Sequence, residues 1–313
     1  MVEKKKNTML TTSDLLLTDR RKIREEWKKS DFQIGADIDI IKRWCKTQKH
    51  LPELPCDNTI EYFLTNCKFS IEKTKQNLDM YYSIPNLLPE MYENKHPCLD
   101  KMKNVEKVAY MIPMPRLTEN LHRITVVQFR DSDPDLFVPV DYSAFLFRNI
   151  FEIKNREDLT MGEIIIIDYK YFKFGHVIKI SPLFAKNCAF ILEKVWSNRL
   201  RELHFINAPV FIDKIMALLK AFFSKKLQER VHIHSDLEDL FKLVPRELLP
   251  SDYGGNEPSL DEFQRVWSQK FEDNKERFNT LDTLKVNESL RPEKLENSEI
   301  LGYHGNFKKI EVD

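Results

Sequence analysis

GEIIIIDYKYF, Gly162 to Phe172, carries four consecutive isoleucines and so offers no polar face over most of its length. A β-branched run that is apolar at every step predicts a strand covered on both sides, as in the interior of a parallel sheet. RITVVQF (Arg123 to Phe129) has the same character, and shorter candidates follow at RELHFIN (201–207) and VHIH (231–234). Helical spacing fills the gaps between them, at Asp141 to Lys154, at Ser181 to Ser197 and from Pro209 onward. Strand alternating with helix predicts an α/β fold: a mostly parallel sheet with right-handed crossovers, flanked by helices.

Upstream of these strands the period changes. From Leu16 to about Glu93 apolar residues recur at helical spacing, in the sets Ile40, Ile41, Trp44, then Ile60, Phe63, Leu64, then Ile71, Leu78, Tyr81, Tyr82. The segment HLPELPCDN, with two prolines and an Asx turn signal, parts one helix from the next. An all-α N-terminal domain over 1–95 is therefore expected ahead of an α/β domain over 96–274. Beyond about Asn274 the chain turns polar, and 275–313 reads as a tail that is either loose or strapped to the body. A chain of 313 residues exceeds what one core usually holds, which fits two compact units.

Composition removes several functions. Lys and Arg number 49, Asp and Glu also 49, so no global field draws the chain to nucleic acid or to a membrane. The first residues have only Leu15 to Leu17 as an apolar run, too short for a secretory signal, so a cytoplasmic protein is expected. Five cysteines without a C-x-x-C pair read as reduced packing thiols. The seven glycines form no phosphate cradle and no nucleophile elbow, so nucleotide chemistry and hydrolysis by the usual routes are not expected. Asp168 and His176 could be posed as an acid and base pair, but no nucleophile stands at a comparable strand end, and Asp168 reads better as a turn cap. His232 and His234 alternate along a strand and share one face; without a third ligand at suitable spacing they read as structural, and no metal or cofactor is expected.

The segment FINAPVFIDKIMALLKAFFSKKLQERVHIH (205–234) calls for a different explanation. With Pro209 in the first helical turn, Phe211, Ile215 and Leu218 fall on one stripe, and Ile212, Met216, Leu219 and Phe223 on another. The longest unbroken apolar run, Ile215 to Leu219, is far short of the roughly 18 residues a spanning helix requires. This helix, about 209–223, is either a core helix or one that lies on something. Its hem is basic, with Lys225, Lys226 and Arg230. Arg199 and Arg201 stand two apart before the preceding strand, and Lys226 and Arg230 four apart on a helix, so each pair projects in one direction. Brought together they would make a four-cation cradle suited to phosphate; kept apart they are solvated charges answered in part by Glu202 and Glu229.

FLTNCKFSIEKTKQNLDMYYSIPNLLPE, IIDYKYFKFGHVIKISP, RELHFINAPVFIDKIMALLKAFFSKKLQERVHIH and LVPRELLPSDYGGNEPSL together resemble the CRAL-TRIO proteins, most of all the insect members similar to tocopherol-transfer and retinaldehyde-binding proteins. The resemblance implies a non-enzymatic carrier in which sheet and helices form a bowl for one hydrophobic lipid, closed by a mobile gate. It places the membrane-contacting lip on Phe174, Ile178, Phe211, Ile215 and Leu218, and the phosphoinositide-binding cations on Arg199, Arg201, Lys226 and Arg230. Expected bowl residues are Tyr142, Phe145, Asn149, Ile164, Ile180, Ile191, Leu203 and Leu219. The sequence departs from the family at Thr65 and Cys67, where arginines are usual, and at Tyr171, where glycine is usual; Phe145 and Asn149 replace the serines of the tocopherol pocket. The expected partners are a small hydrophobic ligand and a membrane surface, touched transiently by a monomer. The competing expectation is a regulatory module whose affinity for a partner changes with lipid or phosphoinositide.

Overall fold

The structure, a computed structural model, describes residues 10–195 and 200–292; the side chains of Glu193, Lys194, Leu218 and Leu219 also lie outside the description. Its centre is a five-stranded sheet in the order β1-β2-β3-β4-β5, formed by Ala109–Leu117, His122–Phe129, Gly162–Asp168, Leu200–Ile206 and Val231–Ile233. β2 to β5 run parallel and β1 pairs antiparallel to β2. The isoleucine run of β3 occupies the middle position, which is why it needs apolar residues on both faces.

Register divides those residues into two faces. Ile165 pairs with Thr125 and Leu203, and Ile167 with Val127 and Phe205; Ile164 and Ile166 pair with Ile124 and Val126 on one side and with Glu202 and His204 on the other. Phe129 and Phe205 belong to the first face. There Phe129 stacks on Tyr142 of the first crossover helix, ring centroids 5.2 Å apart, and Phe205 meets Tyr169 at 5.3 Å. The second face is covered by the C-terminal part of the chain: Tyr253 reaches Asp168 with its hydroxyl at 2.9 Å. Strands in strict sequence order joined by right-handed crossovers return their helices to one face, so this division of labour follows from topology.

The first crossover runs through Pro139–Ala144, a π-helical stretch Phe145–Ile150 and Phe151–Glu157; the second through Pro182–Phe190 and a π-helical stretch Ile191–Val195. The third is broken. Its main helix is Ile212–Phe222, and Ser224 then caps a short helix at Lys225–Gln228. The helix begins after Pro209 and Phe211, later than the sequence predicts, because Pro209 accepts a turn hydrogen bond from the Ile212 amide at 2.9 Å.

Helices at Arg20–Glu26, Asp31–Thr47, Asp57–Asn66, Ile71–Leu87 and Pro89–Tyr92 form the N-terminal bundle. Its core is shared with the crossovers: Phe63, Tyr62 and Tyr81 lie within about 6 Å, ring to ring, of Phe151. The polar segment after Asn274 straps down. Lys275–Thr283 is helical, and Arg277 joins Glu53 of the bundle through two contacts of 2.7 Å and Glu152 of the first crossover at 2.6 Å. Arg291 grips Asp79 with two more of 2.7 Å.

β1 is absent from the sequence reading because Pro113 and Pro115 interrupt AYMIPMPRL. Proline is tolerated here since the strand lies at the sheet edge, and the register slips between Pro113 and Leu117.

Candidate functional site

The apolar lip is built where β3 and β4 end. After Asp168 the chain turns and forms the short helix Phe174–Ile178. Gly175 is required there, since a Cβ would stand 2.6 Å from the Pro134 side chain. Lys179 ties the same helix down by donating to the Pro134 carbonyl at 2.5 Å. Ile178 is left 71% exposed and Phe174 41% exposed. On the neighbouring connection Val210 is fully exposed, and Phe211 packs edge-on against Phe174 at 5.5 Å. Lys214 Nζ lies over the Phe174 ring, 4.6 Å from its centre.

Sequence positions 174 and 211 meet, while Ile215 turns inward and is 8% exposed. Phe223 is buried with it, and Ile212, Met216 and Phe222 are half-buried against the sheet core. The helix thus rests its inner side on the apolar core and presents its N-terminal end, with Phe174 and Ile178, to solvent. The side chain of Leu218 lies outside the described residues.

Beneath the lip the bowl face is aromatic. Phe129 touches Phe137, Tyr142, Phe172 and His176, all with ring centres between 4.9 and 5.3 Å. Of the expected bowl residues, Phe145 and Leu203 are buried in this core, and Tyr142 and Ile180 pack against it. Phe145 leans on Phe271 at 5.3 Å. Two expectations need correction. Ile164 pairs with Glu202, placing it on the sheet face opposite to Leu203; a residue one step along a strand points the other way, so the two cannot line one bowl. Ile191 is fully buried among bundle residues, in the core shared with Phe63 and Phe151. Asn149 is fully buried, its Oδ1 accepting from Arg148 at 2.8 Å and its Nδ2 without a partner among the described residues. The Leu219 side chain lies outside the description.

The base of the bowl face is polar and closed. Arg123 forks onto Asp158 at 2.6 and 3.1 Å, and Lys154 reaches Glu163 at 2.6 Å, all four buried. Burial works to raise the Asp158 pKa, yet the Arg123 charge and hydrogen bonds hold it below the usual carboxylate range; Glu163 is pushed up by burial. Sequence reasoning missed this network because its members come from different elements and share no spacing.

Two of the four expected cations come together. Arg230 donates to the Leu200 carbonyl and its own carbonyl accepts the Leu203 amide at 2.8 Å, which sets it beside Arg201. Burial, then the Arg230 charge, push the Arg201 pKa down. The Arg201 Nε is buried without a hydrogen-bond partner among the described residues. Glu202 does not answer them, being engaged by His204 at 2.9 Å. Lys226 is exposed nearby in sequence, and Arg199 lies outside the described residues.

The histidines are three rather than two. His204 of β4 pairs in register with His232 and meets the His234 Nε2 through its Nδ1 at 2.8 Å. Among the described residues no group of three His, Cys, Asp or Glu side chains is arranged to hold a metal. Asp168, on the other hand, faces away from His176: it takes hydrogen bonds from Tyr253, from Asn207 at 2.8 Å and from the Lys170 amide at 2.9 Å, so it caps and braces the turn. No described helix is long and apolar enough to cross a membrane.

Residues 109–255, the whole of the sheet with its crossovers and the covering segment, match the family described as CRAL/TRIO domain. The chain carries a CRAL/TRIO domain. Residues 30–102 match a second family, described as Pinta-like, UBA domain. The human alpha-tocopherol transfer protein-like protein is 27% identical over 264 residues, covering 80% of this chain and 72% of its own. Clavesin-2 of rat is 24% identical, covering 77% of this chain and 74% of its own. The crystal structure of Sfh5 is 16% identical with a TM-score of 0.46, covering 79% of this chain and 92% of that one. Arg201 and Arg230 lie at the starts of β4 and β5, the opposite end of the sheet from Phe174 and Phe211.

Proposed function

We propose that this CRAL/TRIO protein is a non-enzymatic carrier that withdraws one hydrophobic molecule from a membrane, shields it on the aromatic face of the sheet, and releases it at another membrane. The observation that carries this reading is the exposed apolar lip: Phe174, Ile178 and Val210 are held out to solvent by two separate strand ends that meet at Phe174 and Phe211. Clustered exposed apolar groups at the mouth of an apolar core mark a surface that works against another apolar phase. The tocopherol-transfer name of a relative supports the same class of activity.

Energetics favour exchange over trapping. A cargo of roughly twenty carbons gains on the order of 15 kcal/mol on leaving water, at about 0.8 per methylene. A bilayer offers nearly the same, so the two hosts are close to balanced and the gate has only to remove the aqueous barrier. In this reading Arg201, with an Nε that has no partner among the described residues, Arg230, whose charge reaches it, and the exposed Lys226 engage anionic headgroups; phosphoinositides offer that chemistry. The protein acts as a monomer in the cytoplasm and touches membranes transiently.

The test is extraction of the purified native chain into organic solvent followed by mass spectrometry. One unmodified apolar lipid per chain is expected. A chain that comes off empty, and takes up neither tocopherol, retinaldehyde nor phosphatidylinositol from vesicles, refutes the carrier reading.

A further inference from the structure

A third strand end reaches the surface that carries the lip. Between β2 and the first crossover, Leu136 and Val138 are each 51% exposed, while Phe137 between them is 4% exposed. Backbone shape explains the alternation: Phe137 and Val138 are both extended, so successive side chains point to opposite sides. Phe137 is the anchor. Its ring meets those of Phe129 and Tyr142 at 5.3 Å and that of His176 at 5.6 Å, so the bowl face holds it and its two neighbours turn outward.

This segment is locked to the helix that carries Ile178. The Pro134 ring occupies the space a side chain at position 175 would need, 2.6 Å from where a Cβ would stand. Lys179 donates to the Pro134 carbonyl at 2.5 Å and lies 3.4 Å from the Asp135 carboxylate. Leu136 follows Asp135 and Ile178 precedes Lys179, so the ion pair sets two exposed apolar side chains on adjoining ground. Exposed apolar side chains scattered singly, such as Leu54 on the bundle and Leu290 on the strap, need no explanation; a cluster drawn from three separate connections does.

Charge does not account for the cluster. In 131–138, 170–179 and 210–214, Asp131, Asp133, Asp135 and Asp213 stand against Lys170, Lys173, Lys179 and Lys214, and the two signs cancel. Whatever this surface meets is held by apolar burial. Single side chains protruding from three loops suit insertion into a fluid phase better than packing against the fixed relief of a folded partner. We propose that Leu136 and Val138 form with Ile178 a docking plate, clamped together across two strand ends, that rests on a bilayer of zwitterionic headgroups. The proposal takes the bilayer from the carrier reading and adds which surface docks and by what force.

The test measures partitioning of the full chain onto phosphatidylcholine vesicles by flotation, with no cargo transfer in the readout. With about half of each side chain left to bury, Leu136→Ser combined with Val138→Ser should weaken partitioning roughly 20-fold. Leu136→Met with Val138→Ile keeps the apolar surface and should partition as wild type. Leu54→Ser with Leu290→Ser, at sites 45% and 48% exposed, removes comparable apolar surface elsewhere and should also partition as wild type. Raising the salt should not weaken wild-type partitioning, since screening acts on charge. Wild-type partitioning of the Leu136→Ser, Val138→Ser variant, an equal loss in the Leu54→Ser, Leu290→Ser control, or a wild-type chain that does not float with these vesicles overturns the proposal. A chain that extracts empty refutes the carrier reading and leaves a positive result here standing; a lipid-loaded chain whose partitioning ignores Leu136 and Val138 refutes the plate alone.

Discussion

Replacing Ile178 by aspartate isolates the membrane contact from the fold. Ile178 lies at the end of the short helix Phe174–Ile178 and is 71% exposed, so little native packing is lost when it changes. Fully burying an isoleucine is worth roughly 2 kcal/mol; with 71% of it still in water, about 1.4 kcal/mol remains to be gained in the leaflet. An aspartate forfeits that and adds repulsion from an anionic surface of about 1 kcal/mol. The sum, about 2.4 kcal/mol, corresponds to a roughly 50-fold loss of productive membrane encounters. The assay is transfer of an NBD-labelled tocopherol between donor and acceptor vesicles containing phosphatidylserine, followed by dequenching. Phe32→Asp is the matched control: Phe32 is 84% exposed on the N-terminal bundle, far in sequence from the lip, and makes the same change of charge. Expected are a roughly 50-fold fall for Ile178→Asp, near wild-type transfer for Phe32→Asp, and unchanged urea midpoints for both. Transfer within two-fold of wild type for Ile178→Asp, or an equal loss in the control, refutes the lip as the contact surface.

Two further outcomes follow from buried charge. His204 is fully buried, and burial, then His234 and His232, depress its pKa to about 3. A depressed histidine contributes stability above its unfolded pKa near 6.5 that is lost as pH falls towards the folded value, so about 2 kcal/mol should disappear between pH 7 and pH 5. Urea unfolding at the two pH values measures this; Glu202, Asp236 and Asp239 face the same cluster, and His204→Gln should flatten the slope while a slope unchanged by that substitution places the effect elsewhere. Arg277→Met should destabilise by about 3 kcal/mol because it strips Glu152, 1% exposed, of its nearest cation and leaves only Arg156 at 4.0 Å. Adding Glu152→Gln should recover part of the loss in the same urea assay, and a loss below about 1 kcal/mol would show that the strap is not held by this pair.

The sequence carried the sheet because burial on both faces leaves a mark that needs no context: four isoleucines at 164–167 allow few alternatives. It hid β1 because Pro113 and Pro115 contradict strand propensity, and only the edge position in the sheet removes the contradiction. It left the tail undecided between loose and strapped for a different reason. Polarity after Asn274 reads as solvation, whereas Arg277 and Arg291 spend their charge on Glu53, Glu152 and Asp79, residues 125 to 224 positions away. Local composition cannot distinguish a solvated cation from one whose partner is distant in the chain.

The candidate site divides along the same line. Phe174 and Phe211 were reachable because a resemblance aligned the two segments, and their meeting at 5.5 Å needs no finer register. Ile164 failed by a single residue. In a strand covered on both faces every position is apolar, so hydrophobicity gives no clue to which side a given isoleucine serves. Only the pairing of Ile164 with Glu202, and of Ile165 with Leu203, settles the parity. That parity also explains the two polar clusters flanking the apolar sheet. Glu163 falls on the bowl face, where Lys154 of the crossover neutralises it, and His204 on the opposite face, where Glu202 and His234 receive it. In the carrier proposed above, an apolar cargo on the bowl face would meet polar groups at its base, beside Glu163 and Arg123, and exposed apolar ones at its mouth. Such a gradient favours entry by the apolar end and exit by the same route, which places both steps at the lip that Ile178→Asp perturbs.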